Sequence, residues 1–258
     1  MAIITLTTDL GLKDYYVGAV KGHIFSQVPH AQIVDISHQI EPFDIQSAAY
    51  ILKNCYASFP KGSIHILGVA TEHSSVTPHV CVSFAGHYFL GSDNGIFSLL
   101  FDGNPDMVVE LYPALTPGIS LFPTMSVFAQ AACQLAIGRS LDLLGKAKSG
   151  INRMILLRPA LNGNNLRGAI IHIDTYFNAI SNITLSQVQE IDKERPFNIY
   201  FGKHEISLLS KQYSDVQEGE LLALFNTAGQ LEIAINKGKA SQLLHLHIGD
   251  PISLVFKS

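Results

Sequence analysis

The stretch IHILGVATEHSSVTPHVCV (64–82) sets a polar loop between two apolar, partly β-branched runs. The loop offers Glu72, His73 and His79 together with two serines and two threonines, groups able to orient or deprotonate a water molecule. It holds neither Asp nor Arg, and it would equally serve as a plain connection between strands. Asp9 closes another such run, two residues before Gly11. A carboxylate there can cap the helix that follows, or its two oxygens can accept hydrogen bonds from a vicinal diol such as a ribose offers. Asp35 and His38, three apart, suit either a metal pair or a turn closed by the imidazole; no H-x-x-x-H or paired-carboxylate motif supplies further ligands. His245 and His247 alternate as on a strand, again a metal pair or a solvated stripe. Phe43, between Pro42 and Asp44, can stack on a planar ring or staple the next helix. In HIDTYFNAISN (172–182), Asp174, Asn178 and Asn182 surround Tyr176 and Phe177. A carboxylate and carboxamides beside aromatics fit a zwitterion's ammonium, or the loop-closing turns that Asp and Asn also make. Asn226, Glu232 and the glycine turn at 236–239 can present polar and backbone groups to a base.

Strands over 2–8, QIVDIS (32–37), 63–69, 80–84 and 87–91 are interleaved with helices over 14–27 and 44–59, and a further helix covers about 124–138. The first helix places Tyr16, Ala19, Val20, Ile24 and Phe25 on its apolar face, and Asp44 stands as the N-cap of the second. Alternation of this kind predicts an α/β domain over 1–150, a central mixed sheet flanked by helices. In an open sheet of that class ligands lie beyond the carboxyl ends of the strands, so the loops after the first three strands should share one edge. A linker is expected over 151–167, marked by NGNN, and then seven short strands over 168–258 predict an all-β, barrel-like domain.

With 47% hydrophobic and 15% charged residues, some surface is expected to be buried by self-association. A net charge of −4 argues against nucleic acid as a partner. Three widely spaced cysteines fit neither a disulfide framework nor a zinc motif and suggest a reducing, cytoplasmic setting. MAIITLTTDLG lacks the pattern of a signal peptide, and no apolar run approaches the ~20 residues that span a bilayer, so no membrane association is expected.

TTDLGLKDYYVGAVKG, VDISHQIEPFDIQSAAYIL, GSDNGIFS, IDTYFNAISNI and LEIAINKGKA followed by GD occur in an order that covers nearly the whole chain. Together they resemble the S-adenosylmethionine (SAM) hydroxide adenosyltransferases, a family that includes fluorinating and chlorinating enzymes. The resemblance implies an N-terminal α/β domain, a C-terminal β-barrel, and a homotrimer binding SAM between one subunit's N-domain and a neighbour's C-domain. SAM or adenosine would be the small-molecule partner, SAM as substrate, with no cofactor and no metal. By resemblance Asp9 holds the ribose diol, Phe43 packs on the nucleoside, Asp174 and Asn178 lie at the methionine end, and the turn ending in Ala240 reads adenine. Tyr176 stands where the family usually has Phe, and Phe177 replaces its glycine.

Hydrolysing members carry D-P-G-V-G followed by an arginine, and later F-H-G-R-D; their Asp, Arg and His arrange the attacking water. Here Ala70 takes the place of the Asp and Thr77 that of the Arg, with Glu72 displaced by two; Phe122 is retained, while Pro123 replaces the His. Halogenating members also lack that trio and hold the nucleophile with hydroxyls and backbone N–H groups, and Thr124 falls where such a hydroxyl would lie. The resemblance therefore implies either cleavage of SAM to adenosine and methionine, with water oriented by Glu72, His73, His79 or Thr124, or a catalytically silent trimer that binds SAM or adenosine as sensor or scaffold.

Overall fold

The computed structural model describes residues 2–112, 121–154, 158–191 and 195–257. The chain divides into two compact units, 1–155 and 156–258. In the first unit the order is β1 (Ile3–Thr8), α1 (Tyr16–Gln27), β2 (Gln32–Ser37), α2 (Ile45–Lys53), β3 (Ile64–Gly68), β4 (His79–Phe84), β5 (His87–Ser92), α3 (Ile96–Leu100) and β6 (Met107–Leu111). A π-wound turn over Thr124–Ala129 then runs into α4 (Gln130–Ala136), and β7 (Gly145–Lys148) closes the unit. The sheet order is β2-β1-β3-β5-β4-β6-β7, parallel from β2 to β5 and antiparallel beyond it. This is the expected mixed sheet between helices.

Register explains what each face buries. Thr8 pairs with Gly68 and Thr5 with His65, so the pleat puts Ile4, Leu6 and Thr8 on one side and Thr5 and Thr7 on the other. The first side packs on α1, the π-wound turn and α4 through Val20, Ile24, Phe128 and Ala132; the second packs on α2 and α3 through Ala48, Leu52 and Phe97. β3 is buried along its whole length, as a parallel strand covered by helices should be. Asp44 caps α2 as expected, its carboxylate accepting the N–H groups of Gln46 and Ser47. The buried stripe of α1 is Val17, Val20 and Ile24, whereas Phe25 is 45% exposed, a correction to the face read from sequence. α3 and β7 are also additions to that reading.

The second unit comprises β8 (Ala160–Asn162), β9 (Asn165–Ile173), β10 (Ala179–Thr184), α5 (Leu185–Ile191), β11 (Phe197–Phe201), β12 (His204–Ile206), β13 (Leu221–Phe225), β14 (Gln230–Ile235), α6 (Ala240–Leu243) and β15 (Pro251–Phe256). Its strands form one antiparallel sheet, β12-β11-β15-β9-β10-β14-β13, with β8 added on β9, wrapped in barrel-like fashion around a main core, with a smaller apolar cluster of Leu222, Leu224 and Ala234 beside it. The expected linker thus contains β8, and its residues 155–157 lie outside the described residues. His245 and His247 follow α6 in a turn, not on a strand, and His245 has a φ of +53°. Among the described residues no helix is long and apolar enough to cross a membrane.

The first unit carries an acid-sensitive element in its core. His65 shares a 2.8 Å hydrogen bond with Thr5 Oγ1 and a 3.1 Å one with His87, and its ring stacks on Phe89. Burial, and then the neighbouring His87, push the His65 pKa down to about 3; His87 is lowered as well, by burial and then by Lys61. The unfolded chain therefore takes up protons below its ordinary histidine pKa of 6.5 that the folded chain refuses. Stability is full above that value and falls as pH drops toward 3, by roughly 1.4 kcal/mol per pH unit for His65 alone. Urea unfolding at pH 7 and pH 5 checks this, with about 2 kcal/mol less expected at pH 5; equal stabilities would remove His65 from the account.

Candidate functional site

Because β1, β2 and β3 are parallel, the segments that follow them emerge along one edge. The first and second are tied together: the N–H of Gly11 donates to the His38 carbonyl at 2.8 Å, and the Phe43 N–H donates to Asp9 Oδ2 at 3.0 Å. Asp9 does not cap α1, whose N-terminus has no side-chain cap. Its second oxygen makes no hydrogen bond to a described residue. Phe43 has a φ of +68° and is 70% exposed, so it is not stapled to α2 and stands open beside Asp9. A strained aromatic held by a carboxylate at a sheet edge fits a planar ligand bearing a hydroxylated sugar.

Asp35 and His38 are drawn into a chain of contacts. His38 is buried, its Nδ1 2.7 Å from Thr8 Oγ1 and its Nε2 3.1 Å from Asp35 Oδ1. Lys21 binds the other oxygen of Asp35 at 2.6 Å. Burial pushes the Asp35 carboxyl up, but Lys21 and His38 outweigh it and hold the group below its ordinary range. Among the described residues no three His, Cys, Asp or Glu groups gather as a metal-ligand set.

Thr124 begins the π-wound turn and is 1% exposed. It meets the end of β3 at Gly68, where an added Cβ would stand 2.8 Å from Thr124 Cγ2, 2.9 Å from its Oγ1 and 3.0 Å from Thr8 Cγ2. Only a glycine permits that approach. The Thr124 hydroxyl makes no hydrogen bond to a described residue. Phe122, just before it, lies edge-on to Tyr16 with centroids 5.3 Å apart. A π-type insertion at the start of a helix re-aims side chains and is frequent at functional sites.

In the 71–78 loop Glu72 and His73 are exposed, and His73 meets the buried His79 ring at 5.0 Å. Burial lowers the His79 pKa although its Nε2 lies 2.8 Å from the Thr71 carbonyl. Thr77 is used inside the loop, bonded to Ser74. Ala70 has a φ of +48°, and Asn94 donates to its carbonyl at 3.1 Å.

The second unit gathers its own polar group. Asp174 Oδ1 accepts the N–H groups of Tyr176 (2.9 Å) and Asn178 (2.8 Å), and Oδ2 accepts the Asn178 amide at 3.1 Å. The turn this closes places Phe177 at φ +65° and leaves Tyr176 76% exposed. The N–H of Ser241, next to the buried Ala240, donates to the Phe177 carbonyl at 2.8 Å, so this turn and the 236–239 turn abut. Glu232 is buried and accepts from Tyr213 (2.7 Å) and Asn226 (3.2 Å). Burial raises its carboxyl, the two hydrogen bonds lower it, and Asp174's charge adds to the rise. The pairings of Thr8 with His38 and of Thr124 with Gly68 escape a sequence reading, although TTD at one strand end and D-x-x-H at the next hint at polar chemistry.

An α/β unit with polar groups along the carboxyl edge of its parallel strands, followed by a barrel-like β unit with a carboxylate–carboxamide turn, defines a two-unit class of protein, and comparison with known families agrees. The model of the SAM hydroxide adenosyltransferase N-terminal domain matches residues 4–145, and that of the C-terminal domain matches 168–253. The chain belongs to the SAM hydroxide adenosyltransferase family. It is 27% identical to an (R)-S-adenosyl-L-methionine hydrolase of Thermus thermophilus over 99% of this chain and 100% of the relative. It is 28% identical to the protein of that name in Methanocaldococcus jannaschii, over 98% and 96%. A fluorinase of Nocardia brasiliensis is 23% identical over 96% and 94%. A crystal structure of an uncharacterized conserved protein from Thermotoga maritima superimposes with a TM-score of 0.88 at 28% identity, covering 98% of this chain and 99% of that one.

Proposed function

We propose that the protein hydrolyses SAM to adenosine and L-methionine by in-line attack of water or hydroxide on C5′. The observation that carries this reading is the Asp9–Phe43 pair, with one carboxylate oxygen making no hydrogen bond to a described residue, at the strand edge of a chain whose full-length relatives are named SAM hydrolases. In this reading Asp9 accepts the ribose hydroxyls, Phe43 and Phe122 flank the nucleoside, and the Thr124 hydroxyl contacts the nucleophile. Glu72 and His73 orient the water from the 71–78 loop. Asp174 and Asn178, with Tyr176 between them, receive the methionine end, and Glu232 and the backbone beside Ala240 face the adenine. Because the leaving group is a neutral thioether from a sulfonium, positioning and desolvation supply much of the rate, about 7–11 kcal/mol in favourable cases. No cofactor enters this scheme. A homotrimer with sites between subunits, working in the cytoplasm, completes it, supported by the family resemblance and by the low charge content.

Incubation with SAM followed by chromatography is expected to show adenosine above the spontaneous rate. Absence of that product would favour the second reading, a SAM- or adenosine-binding protein without turnover, which Ala70, Thr77 and Pro123 at the positions of the hydrolases' trio recommend. Glu72→Gln is expected to slow turnover about tenfold, the low end of what a positioned acid–base group contributes. An unchanged rate takes Glu72 out of the mechanism.

A further inference from the structure

Building on the hydrolytic reading, we propose that Thr8, His38 and Asp35 form the proton relay that accepts the proton lost by the attacking water. The three residues come from two adjacent strand ends and are linked end to end, hydroxyl to imidazole at 2.7 Å and imidazole to carboxylate at 3.1 Å. Thr8 and His38 are both buried, at 1% and 4% exposure. Asp35 Oδ1 lies 3.1 Å from His38 Nε2, which has no aligned hydrogen-bond partner among the described residues. The anion favours a proton on Nε2, which leaves Nδ1 as an acceptor for the Thr8 hydroxyl proton. With its proton so directed, Thr8 Oγ1 accepts the Leu10 N–H at 3.4 Å with one lone pair and has the other to accept from a water.

The relay also lies where the nucleophile is needed. The Thr8 methyl Cγ2 and the Thr124 Oγ1 both come within about 3 Å of the same point above Gly68, so the side chains of Thr8 and Thr124 meet at the end of β3, with the relay hydroxyl on the same residue as that methyl. Asp9, the ribose-binding candidate, is the next residue along the chain from Thr8. In the step itself the water oxygen forms its bond to C5′ while the C5′–S bond breaks, its electron pair going to sulfur to give methionine's neutral thioether. One water proton passes to Thr8 Oγ1 as Thr8's own proton moves to His38 Nδ1. Adenosine keeps the other proton as its 5′-hydroxyl. The imidazolium faces Asp35 and returns its proton to solvent after product leaves. The charged groups around His38 are Asp35 on β2, which favours the imidazolium, and Lys21 on α1, which opposes it through its bond to Asp35. A chain of this kind takes over the proton-handling share of the work that the absent Asp, Arg and His do in other members.

The pH dependence of SAM cleavage by the full-length protein tests the relay. Wild type should lose kcat/KM on the acid side, where the relay can no longer accept the water's proton. Thr8→Val and His38→Gln should lower kcat about 100-fold with KM nearly unchanged. His38→Gln should abolish the acid limb, and Thr8→Ser should restore most of what Thr8→Val loses. Asp35→Asn should move the limb to lower pH, because the carboxylate no longer faces the relay's cationic state. A purely structural His38–Thr8 tie would not produce that shift, and Asp35 is 39% exposed, so this arm stands even if Thr8→Val fails to fold. Wild-type turnover with an acid limb that none of these substitutions alters would overturn the relay while leaving hydrolysis intact. No adenosine from wild type would overturn both.

Discussion

Replacing Asp9 by Ala is expected to weaken adenosine binding by at least about tenfold, measured by calorimetry, because two charge-assisted hydrogen bonds to the ribose diol are lost at about 1.5–3 kcal/mol for such a group. The structure adds a second reason. Asp9 Oδ2 also receives the Phe43 N–H, and Phe43 is a non-glycine residue at φ +68°. Such a backbone persists only when its surroundings hold it. Without the carboxylate, the exposed ring that would face the nucleoside loses its tether. Asp9→Asn, with a single acceptor oxygen, should fall between wild type and Asp9→Ala. Because the Asp9–Phe43 contact is exposed, melting temperature should change little in either variant. Unchanged affinity in Asp9→Ala would reject the role given to this residue.

Gly68→Ala should cost far more activity than a single methyl group suggests. The new Cβ would sit under 3.0 Å from both Thr124 side-chain branches and at 3.0 Å from Thr8 Cγ2, all in side chains at 1% exposure. One of the threonines must move. Misplacement of a reacting group by about an ångström costs about 100-fold in rate, and overpacking a buried site costs about 1–3 kcal/mol of stability. The expected result is a kcat lowered about 100-fold in a protein that still folds. A variant as active as wild type would show that the Thr8–Thr124 convergence is not where the chemistry occurs.

The features legible in the sequence are those written in local chemistry. Asp44 announces its helix because a carboxylate before an amphipathic run satisfies free N–H groups. The Ala85-Gly86 turn is readable because glycine readily takes the positive φ that a type I′ hairpin turn needs at both central positions, and the values are +52° and +83°. α1 misleads because apolar residues occur almost all round it; tertiary packing alone chooses Val17 over Phe25. β7, GKAK, carries no apolar alternation and exists because β6 offers it a pairing edge. α5 buries little besides Val188 and interrupts a run of strands without a strong helical signal.

The site divides along the same line. Residue types at strand ends can be read, and so Asp9, Phe43 and Asp174 stand out; which groups meet cannot. Thr8 and His38 are 30 residues apart and are joined only by the pairing of β1 with β2. Asp35 and His38 look like half a metal site until the fold hands one to Lys21 and the other to Thr8. Gly68 reads as an ordinary strand residue until a helix start is seen to rest on it.

SAM cleavage run in heavy-oxygen water puts the central claim to its most direct test. Mass spectrometry should find the label in the 5′-hydroxyl of adenosine, with methionine unlabelled. Adenosine formed no faster than in a protein-free control, or formed without the label, would contradict the account.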